Sequence, residues 1–78
     1  MTNAETFTAT LTAQFVELFK QPKYALAAAK FTPEQMAQTM TEGLKVRGAD
    51  KSGEGVRMAC RVLGLPNTYQ AIEAYLAA

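Results

Sequence analysis

Two patterns of apolar and polar residues compete near the start of the chain. Residues 6–13 alternate strictly, a period typical of a half-buried strand, and their threonines favour a strand as well. Apolar residues in this region also recur at helical spacing, at Phe7, Leu11, Phe15 and Leu18. Thr2 and Glu5 precede the run with the spacing of a capping box. We therefore predict a helix over about residues 4–20, and a strand over 6–13 would instead give an α+β fold.

Prolines mark the starts of the next two helices. Pro22 opens a short helix over about 22–30, because a proline is tolerated in the first helical turn. Thr32 then offers an N-cap hydroxyl, and Pro33 follows it in the first turn of a third helix. The apolar residues of this helix share one face, at Met36, Met40 and Leu44. Gly48 is the expected C-cap.

The last third of the chain predicts two short helices that are joined by a tight turn. Residues 48–53 form a loop before them, because they are rich in glycine and small polar residues. The first helix covers about 54–63 and ends at Gly64, and the second covers about 68–77. Their apolar stripes contain Val56, Cys60 and Leu63 in the first helix and Tyr69, Ile72 and Leu76 in the second.

These elements together predict an all-α fold. We expect a single domain over residues 1–78, with four to five short helices in a compact bundle and a C-terminal αα-hairpin. The expected core residues are Phe7, Leu11, Phe15, Leu18, Phe19, Leu26, Phe31, Met36, Met40, Leu44, Val56, Cys60, Leu63, Ile72 and Leu76. A chain of this size buries only about 60% of its unfolded surface, so a homodimer that shares one core is a reasonable expectation.

The composition argues against an enzyme. The 78 residues include no histidine and one cysteine, so the commonest general base is missing and no His/Cys cluster can hold zinc. Cys60 lies on the apolar face of its helix, where we interpret it as a core residue. The alternative is a reactive thiolate beside Arg57 or Arg61. We expect no catalytic residue, no metal and no cofactor.

The sequence shows neither a membrane span nor a secretion signal. No stretch approaches the roughly 18 apolar residues that cross a bilayer, and the N-terminus lacks the basic start of a signal peptide. A single cysteine suits a reducing compartment. These features predict a cytoplasmic protein that does not bind a membrane.

The net charge of +1 hides an uneven distribution. Basic residues gather in two islands, over 20–30 and 45–61, on an otherwise mildly acidic chain. The second island predicts a surface that binds a host protein or nucleoprotein complex through charged contacts, with a methionine as an adaptable apolar neighbour. The residues predicted to bind the partner are Lys45, Arg47, Lys51, Arg57, Met58 and Arg61.

An alternative interpretation is a helix-turn-helix-like unit in which residues 54–77 bind DNA. Such units join two helices by a short turn with a glycine, here Gly64. The second helix carries no Lys or Arg, so phosphate contacts would have to come from the first helix and from residues 45–51. Asn67 and Gln70 would then read bases, or else serve as a cap and a surface residue.

Residues 55–72 (GVRMACRVLGLPNTYQAI), followed by Tyr75 and Leu76, resemble the C-terminal part of small orphan proteins carried by phages and plasmids. The resemblance covers the last third of the chain and includes no motif of assigned chemistry. It implies a mobile-element setting, in which tiny proteins act by binding and blocking a host machine. Anti-CRISPR proteins are one such class, and small transcriptional regulators are another. The resemblance thus favours an inhibitor that binds a host or defence complex directly.

Overall fold

The computed structural model describes residues 1–49 and 52–78, and this part of the chain contains helices and no strand. The helices are α1 (Asn3–Leu18), α2 (Ala25–Lys30), α3 (Pro33–Arg47), α4 (Glu54–Leu63) and α5 (Tyr69–Ala77), with a turn of 3₁₀ helix (Pro22–Tyr24) before α2. The all-α prediction is confirmed. The predicted ends of the helices agree with the observed ones to within two residues, apart from the start of the second helix.

The first segment forms a helix, α1, although its threonines favour a strand. The Thr2 hydroxyl accepts from the backbone N–H of Glu5 at 3.1 Å, and the Glu5 carboxylate accepts from the N–H of Thr2 at 3.0 Å. The Thr12 hydroxyl donates to the Thr8 carbonyl at 2.8 Å, so the helix satisfies this polar group internally. The predicted stripe is buried in full, at Phe7, Leu11, Phe15 and Leu18. Burial of four large side chains outweighs the β-propensity of the threonines.

α1 lies at the centre of the molecule, and α3, α4 and α5 each pack against it. The buried core consists of Phe7, Leu11, Phe15, Leu18, Met36, Ala37, Leu44, Ala49, Val56, Ala59, Cys60 and Ile72. The sequence did not predict the three alanines in this set. Gly55 is a place of close contact between α4 and α1, since a Cβ atom there would lie 2.6 Å from Cζ of Phe15.

Two residues predicted to lie in the core are exposed. Leu26 on α2 is 82% exposed and Phe31, directly after α2, is 39% exposed. The helix has only six residues, and Ala27 is the one that packs against the core. The prediction was wrong because α2 lies beside the bundle rather than against α1. The remaining predicted core residues that are not fully buried pack against the core, at Phe19, Met40, Leu63 and Leu76.

Glycines end α3 and α4, as the sequence predicted. Gly48 follows α3 with φ of 79°, and Gly64 follows α4 in the left-handed region with φ of 71°. The N–H of Leu65 then donates to the Cys60 carbonyl at 2.8 Å, and the N–H of Gly64 donates to the Arg61 carbonyl at 3.3 Å. These are the two hydrogen bonds of a Schellman motif. The turn leads to Thr68, whose hydroxyl caps α5 by accepting from the N–H of Ala71 at 3.2 Å. The turn that joins α4 and α5 is thereby capped at both of its ends, but the two helices pack against α1 rather than against each other as the predicted αα-hairpin would.

Candidate partner-binding surface

α4 separates its residues cleanly into a buried and an exposed face. The buried face contains Gly55, Val56, Ala59 and Cys60. The opposite face presents Arg57 and Arg61, which are exposed, together with Val62, which is 64% exposed. Met58 is half-buried beside them and packs partly against the core. We call the set Arg57, Met58, Arg61 and Val62 the α4 surface.

The two arginines of the α4 surface lie one helical turn apart. Residues at this spacing have Cβ atoms about 5–6 Å apart, and like charges there destabilise a helix by roughly 0.2–0.5 kcal/mol. Among residues 1–49 and 52–78, neither Arg57 nor Arg61 forms an ion pair. The helix therefore holds two adjacent cations, neither of which forms an ion pair with a described residue, although the Glu54 carboxylate acts on Arg57 at longer range.

The acid that could have neutralised Arg57 is engaged elsewhere. Glu54, one turn before it, accepts from the Lys23 ammonium at 3.1 Å and from the Tyr24 hydroxyl at 3.0 Å. These two bonds, with Lys23 the stronger influence, hold the pKa of Glu54 below its ordinary value. Burial and the Glu54 carboxylate raise the pKa of Tyr24. The cluster ties the turn before α2 to the start of α4 and leaves the Arg57 guanidinium available.

The predicted partner-binding residues that the structure describes lie on two different helices, α3 and α4. Lys45 and Arg47 lie in the last turn of α3 and are exposed. The Arg47 guanidinium folds back along its own helix and approaches the sulfur of Met40 at 3.7 Å. Lys51 lies outside the described residues. The structure thus brings three of the six predicted residues together on α4, while Lys45 lines a groove between α3 and α5.

A groove lies between α3 and α5, and the sequence did not predict it. It has a volume of about 450 Å³ and is lined by apolar side chains, including Leu44, Ile72 and Leu76, with Lys45, Glu42 and Glu73 among its polar lining residues. Tyr69 also lines it, and the Glu73 carboxylate, with a smaller effect of burial, raises the pKa of its hydroxyl. Two helices that are far apart in sequence form the groove, so no local sequence pattern could predict it.

Cys60 is a core residue, as the sequence predicted. It is 1% exposed, and its Sγ lies 3.9 Å from Oδ1 of Asn67. Burial raises the pKa of the thiol, so the reactive thiolate is disfavoured at neutral pH. Within residues 1–49 and 52–78, no three His, Cys, Asp or Glu side chains are arranged to hold a metal ion. No helix in these residues is long and apolar enough to cross a membrane.

α5 presents a different chemistry from α4. Its exposed residues are Gln70, Glu73, Ala74 and Ala77, which include a carboxylate and no cation. Asn67, the other residue considered for base reading, is half-buried next to the Cys60 thiol. A recognition helix that enters the major groove passes between phosphates, and α5 offers them no positive charge.

Comparison of the chain with models of known protein families, with curated proteins and with solved structures finds no significant match. The function of the α4 surface is therefore argued from its own residues.

Proposed function

We propose that this chain is a non-enzymatic binding protein that contacts its partner through the α4 surface and blocks that partner by occupying a site. One observation carries the proposal. Arg57 and Arg61 lie side by side, neither forms an ion pair with a described residue, and both lie next to the exposed side chain of Val62. Arginine and methionine are enriched in protein interfaces, and desolvated arginines are frequent hot spots.

The composition of the α4 surface supports a protein partner over a bare nucleic acid. The α4 surface combines two cations with two apolar side chains, Met58 and Val62. This combination suits a partner protein whose surface offers both carboxylates and an apolar patch. Duplex DNA would require a longer run of positive charge, because each phosphate contact contributes through counter-ion release. The neighbouring helix α5 supplies none, and the whole chain carries a net charge of only +1.

The resemblance of residues 55–72 to small phage and plasmid proteins guides the choice of target. In a mobile-element setting, the expected partner is a host or defence complex, of which a CRISPR-type nucleoprotein is one example. An arginine pair suits an acidic contact on such a complex and would compete with whatever cation the complex binds there. Inhibition then requires no chemistry from the small protein, only affinity and steric exclusion.

The test is capture of the partner by tagged baits from a bacterial lysate, with identification by mass spectrometry. The baits are the wild-type chain, an Arg57→Glu/Arg61→Glu variant, and a Lys20→Glu/Gln21→Glu/Thr39→Glu control with the same change of net charge. The control is structurally mild, because its three residues are exposed, and the Lys20–Glu17 ion pair that it removes is exposed on both sides and contributes little. We expect the wild type and the control to retain one stoichiometric complex and the arginine variant to lose it.

Melting temperatures of all three baits separate loss of binding from loss of fold. Capture that survives the double arginine change would overturn the assignment to the α4 surface. Capture that disappears after nuclease treatment and weakens steeply with added salt would favour the DNA-binding alternative.

A further inference from the structure

α2 presents an apolar surface that the described residues leave uncovered. Ala25, Leu26, Ala28 and Ala29 are all exposed, and Leu26 retains 82% of its accessible area. We call these four residues the α2 knob. Lys30 ends the helix and forms no ion pair among residues 1–49 and 52–78. An exposed leucine on a ridge of alanines is well suited to insert into a complementary groove.

The groove between α3 and α5 has the matching chemistry. Its lining includes Leu44, Ile72 and Leu76, and its volume of about 450 Å³ lies within the range that holds compact apolar groups. Two carboxylates, Glu42 and Glu73, also line it, and neither forms an ion pair with a described residue. They outnumber the single ammonium group there, so the groove is acidic on balance whereas the end of α2 is basic.

We propose that the α2 knob of one copy fills the α3–α5 groove of a second copy, and that the second copy does the same in return. Lys30 would then face the carboxylates that border the groove, which gives the contact its charge complementarity. The reciprocal arrangement follows from size: a six-residue helix covers too little area for a stable interface, which needs about 1,200–2,000 Å² in total. Two symmetric contacts double the buried area and close the pair as a dimer.

The surfaces of the dimer and of the partner contact are separate. The α2 knob and the groove include no residue of the α4 surface. Failure of the dimer proposal therefore leaves the proposed function intact, and failure of the proposed function leaves the dimer intact.

The first test is the oligomeric state measured by sedimentation equilibrium from about 10 µM to about 1 mM, the range that reports weak to moderate association. We expect the wild type to form dimers within this range. Leu26→Asp should raise the dissociation constant at least about tenfold, because the buried leucine is the centre of the contact. Val62→Asp is the matched control, since it introduces the same charge at an exposed apolar residue on α4 and should leave the dissociation constant unchanged.

A charge exchange tests the reciprocal geometry. Lys30→Glu and Glu73→Lys should each weaken the homodimer, because either change places like charges together at both contacts. An equimolar mixture should recover heterodimers, since one contact is then native and the other has its charges reversed. A chain that stays monomeric up to about 1 mM would overturn the proposal. So would a dimer that is insensitive to Leu26→Asp, or a mixture that shows no recovery.

Discussion

Replacing Gly55 with alanine should destabilise the protein, because the Phe15 side chain of α1 occupies the space that a Cβ atom would need. The new Cβ would lie 2.6 Å from Cζ and 2.9 Å from Cε2 of Phe15, well inside the van der Waals distance. Phe15 is 4% exposed, and its ring centroid lies 5.7 Å from that of Phe19. A cavity of about 110 Å³ that Phe15 and Gly55 both line gives the ring some room. Any movement of the ring disturbs its packing against Phe19 and the core, and α4 must shift by whatever part of the overlap the ring does not relieve.

The magnitude follows from two opposing effects. Overpacking of a core costs about 1–3 kcal/mol. Alanine in place of glycine in a helix returns about 1 kcal/mol. Because the overlap with Phe15 is severe, we expect the upper part of the range and a net loss of about 1–2 kcal/mol. In a domain of this size, that loss lowers the melting temperature by roughly 5–15 °C.

Gly43 provides a matched control in α3. A Cβ there would lie 2.8 Å from Nη2 of Arg47, which is the mobile end of an exposed side chain that can swing aside. Gly43→Ala should therefore gain up to about 1 kcal/mol from helix propensity. Urea unfolding followed by far-ultraviolet circular dichroism measures both variants. If Gly55→Ala is as stable as the wild type or more stable, the close packing of α4 on Phe15 is refuted.

Two further expectations concern titratable groups. The pKa of Glu54 is held below its ordinary value by Lys23 and Tyr24, so this cluster contributes stability at neutral pH that is lost in acid, as the pH falls below the ordinary pKa of a glutamate and through the lowered pKa of Glu54. Glu54→Gln should flatten that part of the dependence of the urea midpoint on pH, and parallel curves for variant and wild type would contradict the cluster. Cys60 should react with a thiol probe only after unfolding, because it is buried and burial raises its pKa. Rapid labelling of the native protein at neutral pH would show that the thiol is exposed.

The helices could be predicted from the sequence because the signals that start and stop them are local. Thr2 and Thr32 cap α1 and α3 with hydrogen bonds to residues three positions away, and Gly64 ends α4 by its own backbone conformation. The alternation of buried and exposed residues along α4 also follows from helical period alone. The sequence is therefore sufficient to place Arg57 and Arg61 on a strip of α4 apart from its apolar face.

The errors and omissions all depend on how the helices are arranged. Leu26 and Phe31 are apolar residues that a core could have held, but α2 lies beside the bundle and leaves them exposed. The α3–α5 groove and the Lys23–Glu54 ion pair join residues that are about 30 apart in sequence. Val62 could have been recognised, since it lies one turn after Met58 on the same side of α4.

The central claim is that the α4 surface binds a protein partner through Arg57 and Arg61. The most direct measurement is the dissociation constant of the captured partner by isothermal titration calorimetry for the wild type, Arg57→Glu/Arg61→Glu and Lys20→Glu/Gln21→Glu/Thr39→Glu. We expect the arginine variant to bind at least about tenfold more weakly while its melting curve shows it folded at the assay temperature, and the control to bind as the wild type does. Equal dissociation constants for the wild type and the arginine variant would contradict the claim.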